Sequence, residues 1–275
     1  MTTSSRTQVA MNYVVLVVFS LIAIYPLAGI LLASLYPPNT NPSGFALPPT
    51  FHFGNYVQAW TDGHFGTYFR SSAIVATTVV GVSTVLSILG GYALGTMRFR
   101  GSKVLFSLFL AGMIIPFEAI VVPLYYEMRS LHLLDTYWAM ILPEVSGSVA
   151  FGVFWMRAFF LSAPRSLIEA ARIDGASSWN ILWRVLVPFG RPAILTLVVL
   201  TFSGSWSEFF LALVMTTKQQ FLTAPAGLSL FSGRYTSNMP LLAAGSVIVV
   251  MPVVIVYVFT QREFIRGMLT GALKG

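Results

Sequence analysis

The chain has 275 residues, of which 56% are hydrophobic and only 9% charged, against about 25% charged in an ordinary soluble domain. So few charges cannot cover a water-exposed surface, which excludes a soluble globular protein and makes the bilayer the natural solvent. The net charge of +7 would suit a nucleic-acid binder, but the Lys and Arg residues are scattered in loops between apolar runs, where they orient a membrane protein instead.

A membrane-crossing helix needs about 20 mostly apolar residues to span about 30 Å of hydrocarbon. In chain order, six segments qualify: Val14–Leu35, Ser72–Gly95, Val104–Tyr126, Tyr137–Phe160, Ala193–Met215 and Leu241–Thr260. The first follows Arg6 as a signal peptide would, but its apolar run exceeds the usual 7–15 residues and reads as an uncleaved span. Between the first two spans, Tyr36 to Arg70 holds Pro37, Pro38, Pro42, Pro48 and Pro49. Proline fixes φ and lacks an N–H, so the start of this loop is expected to be extended.

In the second span, Gly91-x-x-x-Gly95 has the spacing for close helix packing. In the third, Pro116 and Pro123 flank Glu118 and predict a kink. Glu118, Glu144 and Glu208 interrupt the third, fourth and fifth spans. An intramembrane carboxylate is costly and faces a cavity or a partner. At 1.5 Å per residue all three lie about 10–12 Å below the same edge, which predicts a shared substrate pathway. Ser205 stands three residues before Glu208, on the same helical face, whereas Trp206 is assigned to packing.

Orientation follows from the basic residues. Arg6, Arg98, Arg100, Lys103, Arg157, Arg165, Arg172, Arg184, Arg191, Arg262, Arg266 and Lys274 fall on one side; Arg70, Arg129, Lys218 and Arg234 fall on the other. Basic loops stay in the cytoplasm, so both termini are expected to be cytoplasmic in a multi-pass protein of a prokaryotic cell (inner or plasma) membrane. The long outer stretch Thr216 to Pro240 offers Phe221, Phe231 and Tyr235 as contacts for an extracytoplasmic partner.

Between the fourth and fifth spans lies a segment that local rules make rigid. Ser166 and Glu169 have capping-box spacing, Gly175 supplies a φ > 0 stop, Ser177 can cap a second helix, and Pro188 is expected to close it. This segment resembles the EAA motif of binding-protein-dependent ABC importer permeases: Glu169-Ala170-Ala171, then Gly175, then Val185-Leu186-Val187-Pro188. The longer string Glu-Ala-Ala-Arg-Ile-Asp-Gly-Ala-Ser is similar to the carbohydrate branch, which includes the maltose permease subunit MalG. Trp206-Ser-Glu-Phe209, Thr223 to Leu228 and the tail from Gln261 to Gly275 resemble the same branch.

The resemblance implies an all-α integral membrane protein of the type I ABC importer permease fold, with six transmembrane helices and a cytoplasmic coupling helix. It implies a permease subunit of an ATP-driven carbohydrate importer, paired with a second homologous permease, two ATP-binding subunits and an extracytoplasmic sugar-binding protein. Glu169, Ala170, Ala171, Asp174, Gly175 and Pro188 would meet an ATPase subunit, and the tail, with Arg266 and Lys274, would reach the ATPases too. The expected segments are 1–70 (first span and Pro-rich loop), 71–262 (permease core) and 263–275 (tail).

No phosphate-loop Gly-x-x-x-x-Gly-Lys-Ser/Thr occurs in the sequence, so the chain is expected not to be an enzyme and the motor to be a separate polypeptide. With no cysteine, and with His52, His64 and His132 isolated in outer loops, neither a metal nor a cofactor is expected; nor is nucleic acid, whereas membrane lipid is. Two rivals remain. A proton-coupled secondary transporter would use the three glutamates as relays but leaves the EAA segment unexplained. A membrane-embedded enzyme would need convergent catalytic groups, and the spans offer only scattered carboxylates.

Overall fold

Apolar runs bounded by Pro and Gly become helices here, and no strand occurs among the described residues. The computed structural model describes residues 6–42, 45–234 and 238–272. The chain forms α1 (Arg6–Ser34), α2 (Gly54–Asp62), α3 (Phe65–Thr96), α4 (Ser102–Ile114), α5 (Phe117–Ser130) and α6 (Trp138–Ser162). It continues with α7 (Arg165–Ile173), α8 (Ser178–Phe189), α9 (Arg191–Ser207), α10 (Phe210–Met215), α11 (Ala224–Arg234) and α12 (Met239–Ala272).

Among the described residues, four helices are long and apolar enough to cross a membrane unbroken: α1, α3, α6 and α12. Six spans result if each of two bent pairs counts as one. The expected third span is therefore not a continuous helix: α4 and α5 meet at 98°. Ile115 is extended (φ −71°, ψ 117°) and Pro116 follows it, because a residue before proline is pushed out of the α region. Pro123, by contrast, lies within α5. The expected fifth span is also broken. α8 and α9 meet at 78° around Gly190, just ahead of that span, and within it α9 ends where Glu208 turns extended (φ −69°, ψ 121°) before α10 begins.

The chain divides into two compact units, residues 1–66 with 227–251 and residues 67–226 with 252–275. In the first, residues 35–42 and 45–53 carry no helix, as the prolines require. Asn55 ties this stretch down by donating its side-chain amide to the carbonyls of Ser34 and Tyr36, both at 2.8 Å. The stretch from Thr216 to Pro240, expected as an outer loop, contains the whole of α11. Phe231 packs edge-on against Phe65 with centroids 5.7 Å apart and is buried. Ala226 and Leu228 are good helix formers, and the helix holds once it has a surface to pack on.

In the second unit, close approach replaces hydrophobic driving force, since lipid is as apolar as a leucine side chain. A Cβ on Gly91 would lie 2.6 Å from the Met156 Cβ and 2.8 Å from the Arg157 backbone N, and one on Gly95 would lie 3.2 Å from the Phe160 Cβ. The Gly91-x-x-x-Gly95 pattern thus lets α3 touch α6 backbone to backbone. Next to this seam sits a buried cluster of Ile88, Tyr92, Met156, Phe160, Ala171 and Leu186. Arg157 joins the packing as well. Its Nε donates to the Leu94 carbonyl at 3.2 Å, and its guanidinium sits 3.9 Å from the centroid of the Phe106 ring.

Candidate functional site

Two features of the second unit carry the sequence-predicted residues: a polar cavity and a capped helical hairpin. The cavity encloses about 340 Å³. Glu144, Gly147, Ser148 and Phe151 of α6 line it from one side, and Thr201, Gly204 and Ser205 of α9 from the other. Phe117 at the start of α5, together with Glu208 and Leu211 around the α9–α10 break, completes the wall.

Three of the four residues expected along a shared pathway meet here, namely Glu144, Ser205 and Glu208. The Ser205 hydroxyl donates to the Glu144 carboxylate, and a Glu208 carboxylate oxygen accepts the Leu211 backbone N–H at 2.8 Å. Glu118 does not join them. It is exposed, and the adjacent Phe117 faces the cavity in its place. The 98° turn at Pro116 breaks the straight-helix depth count on which Glu118 had been grouped with the others.

Ser205 and Glu208 share the cavity for a reason other than helical spacing, because Glu208 lies beyond the last helical residue. The break turns the carboxylate into a cap for α10, satisfying one backbone donor that a helix start leaves free. Trp206 is packed, as its spacing implied: it is buried, stacked on Phe202 and edge-on to Phe69.

The hairpin is α7 and α8. α7 begins at Arg165 with Pro164 before it and has no side-chain cap, so the Ser166–Glu169 capping box does not form. Pro164 takes the cap position, so the helix starts two residues earlier than a Ser166 cap implies, which leaves Ser166 inside the first turn. At the other end Gly175 has φ +77°. Its N–H donates to Arg172 at 3.0 Å and the Ala176 N–H donates to Ala171 at 2.9 Å, the paired bonds of a Schellman cap. A Cβ on Gly175 would meet nothing within 4 Å. The glycine is therefore required by its backbone angle, not by close approach to another part of this chain.

Ser177 caps α8, accepting the Asn180 N–H at 3.3 Å. Pro188 does not close that helix. The helix widens to a π turn over Ile181–Leu186 and runs on to Phe189, which relieves the clash a proline ring makes with the carbonyl one turn back. Ala171 is buried in the cluster described above, while Glu169, Ala170, Asp174 and Gly175 are exposed. Ile173 is 86% exposed and Trp179 62% exposed, so the hairpin turns two large apolar side chains outward.

The remaining predicted contacts scatter. Phe221 is half-buried, its ring edge-on to Tyr137 at 5.0 Å. Phe231 is buried in its own unit and is not free to anchor a partner. Tyr235 and Lys274 lie outside the described residues, as does the side chain of Arg266. Among the described residues no group of three His, Cys, Asp or Glu could hold a metal ion.

One polar hub gave no signal in the sequence. Asp135, itself at φ +58°, accepts from the Thr217 N–H at 2.7 Å, the Lys218 N–H at 3.3 Å and the Thr216 hydroxyl at 3.0 Å. The Thr217 amide above all holds its carboxyl below the ordinary value of 3.8. The only hint was Asp among turn-forming residues, which is too common to single it out.

Comparison with known proteins adds to this geometry. Residues 87–268 match the family described as binding-protein-dependent transport system inner membrane component. The arabinooligosaccharides transport system permease protein AraQ of Halalkalibacterium halodurans is 35% identical over 92% of each chain. The diacetylchitobiose uptake system permease protein NgcG of Streptomyces coelicolor is 30% identical, covering 98% of this chain and 91% of that one. Among solved structures, a chain of a bacterial ABC transporter that imports the acidic polysaccharide alginate superposes with a TM-score of 0.80 at 29% identity, covering 96% of this chain and all of that chain.

Proposed function

The chain belongs to the binding-protein-dependent transport system inner membrane components, and we propose that it is the permease subunit of an ATP-driven carbohydrate importer. It lines the translocation path together with a second, homologous permease. Two separate ATP-binding subunits drive the pair, and an extracytoplasmic binding protein delivers the sugar. Both termini and the α7–α8 hairpin face the cytoplasm, a reading supported by the twelve-to-four distribution of basic residues.

The observation that carries this reading is the hairpin. Its two helices are capped at Gly175 and Ser177 and held at Ala171 and Leu186, while Glu169, Ile173 and Trp179 stay exposed. A body so fixed moves as a unit, so displacement of its exposed face by an ATPase is passed to α6 and α9 rather than lost in a loop. The broken span at Glu208 then lets the cavity change the side to which it opens. That is alternating access, in which ATP favours one of two states by binding it more tightly. Names of relatives support the substrate class, two of them being transport systems for arabinooligosaccharides and diacetylchitobiose. The C-terminal residues Arg266 and Lys274 are proposed as further ATPase contacts, and Tyr235 as the position from which crosslinking would reach the binding protein.

Purified alone, the chain should hydrolyse no ATP. Hydrolysis should appear when the ATPase subunits are added and rise further with sugar-loaded binding protein. Saccharide uptake into vesicles driven by a proton gradient with no nucleotide present would contradict this reading and favour the proton-coupled alternative.

A further inference from the structure

The cavity between α6 and α9 carries more acid than an indifferent sugar path needs. Glu144 and Glu208 both line it, joined by the hydroxyl-bearing residues Thr201 and Ser205, and none of the residues lining it is Lys, Arg or His. Each carboxylate has one fixed partner, the Ser205 hydroxyl for Glu144 and the Leu211 N–H for Glu208. A carboxylate offers about four lone-pair sites on two oxygens, so both keep acceptor capacity for a guest. The space beside them is open, because a Cβ on Gly147 or Gly204 would meet nothing within 4 Å. At about 340 Å³ the cavity falls within the usual range for small-molecule sites, about 300–1,000 Å³.

We infer that this cavity selects by charge, accepting saccharide units that present hydroxyl donors and rejecting those that bear a carboxylate. The inference rests on the importer reading and narrows its substrate class. Ring hydroxyls of a sugar donate to the free lone pairs of Glu144 and Glu208, while the rings of Phe117 and Phe151 offer apolar faces. A uronate would bring its carboxylate beside Glu208 and the Glu144 carboxyl, with no Lys, Arg or His on the part of the wall that this chain supplies, an arrangement that like-charge repulsion disfavours. Family membership leaves the point open, since the solved alginate importer carries an acidic polysaccharide.

The chain has no cysteine, so a single thiol at Gly147 or Gly204 reports on this cavity directly. In the complete transporter, with its partner subunits freed of reactive cysteines, Gly204→Cys is treated with methanethiosulfonates carrying a cationic trimethylammonium or an anionic sulfonate group. Rates are normalised to those of a free thiol in solution. The cationic reagent should react faster by about tenfold or more, as in clefts lined by one sign of charge. The preference should collapse in Gly204→Cys with Glu144→Gln and Glu208→Gln.

Uptake of matched neutral and uronic oligosaccharides by the same transporter should show the neutral member only. A normalised ratio near one, a thiol that reacts with neither reagent, or equal uptake of the uronate would overturn the inference. Equal uptake of both sugars would leave the importer reading standing, whereas ATP-independent uptake would defeat that reading itself.

Discussion

The α7–α8 hairpin and the cavity beside Glu208 both form where a helix is interrupted, but the interruptions are made in different ways. In the hairpin the capping bonds are all local: Gly175 to Arg172, Ala176 to Ala171 and Asn180 to Ser177. One long-range bond is added where the Tyr92 hydroxyl donates to the Ser178 carbonyl at 3.3 Å. At the cavity the decisive contact joins Ser205 to Glu144, 61 residues apart, and one local bond from Leu211 to Glu208 holds the break. Local bonds keep a short segment stiff whatever its neighbours do. Long-range contacts around a broken helix hold only while the helices keep their places. A transporter of the kind proposed needs both, a stiff piece to receive force and a soft one to change shape.

Breaking the seam behind the hairpin should have the largest effect. Gly91→Leu drives a side chain into Met156 and Arg157, where even a Cβ would lie 2.6 Å from its neighbour. Overpacking costs about 1–3 kcal/mol and sometimes more. The measured outcome should be a lowered Tm for the purified complex and poor recovery from the membrane. Gly112→Leu, with nothing within 4 Å of its Cβ, is the control and should leave both unchanged.

The next effect in size lies at the cavity. Glu208→Leu removes both the guest acceptor and the cap of α10, and should nearly abolish uptake in vesicles. Glu208→Gln keeps an acceptor for the Leu211 N–H and should reduce uptake only modestly. Equal uptake by Glu208→Leu and the native chain would make the carboxylate dispensable and leave the cavity without its strongest member.

Ser177→Ala removes the cap of α8 and should cost about 1 kcal/mol, read as a small drop in Tm and a partial loss of ATPase stimulation. The smallest effect should come from the Asp135 hub. Its carboxyl titrates below its ordinary value in the folded chain, so the stability it adds is present above that value and is lost as pH falls through the lowered one. Amide exchange at Thr217 and Lys218 should therefore quicken, relative to other loop amides, only on strong acidification, and Asp135→Ala should reproduce that quickening at neutral pH.

What the sequence made legible follows the same division. The stop at Gly175 could be read because glycine is the usual residue where φ is positive. The end of α5 has the same pair of bonds, from His132 to Arg129 and from Leu133 to Met128, but His132 at φ +57° fills the glycine's place, and histidine visits that region too seldom for its presence to mark a stop. Four spans could be read from apolar length, whereas the bends at Ile115 and Gly190 make bent pairs of two others, and the second is interrupted again at Glu208. The residues of the cavity were visible as acids in apolar runs, but its membership was not. Glu118 has the same sequence signal as Glu144 and is excluded by the 98° turn at Pro116. Phe231 looked like an exposed anchor because the surface that buries it is formed by residues distant in the chain, Phe65 and Gly245.

The central claim is that the hairpin transmits work from separate ATPase subunits, and Gly175 tests it most directly. At φ +77° with open space around it, the position should reject a β-branched side chain on backbone grounds alone, at about 1–3 kcal/mol, and should tolerate Asn, which visits this region more readily. ATP hydrolysis and saccharide uptake are measured together in proteoliposomes holding the complete transporter. The account predicts that Gly175→Val assembles normally but loses uptake stimulated by the binding protein, while Gly175→Asn retains most of it. Normal, coupled uptake by Gly175→Val would contradict the account.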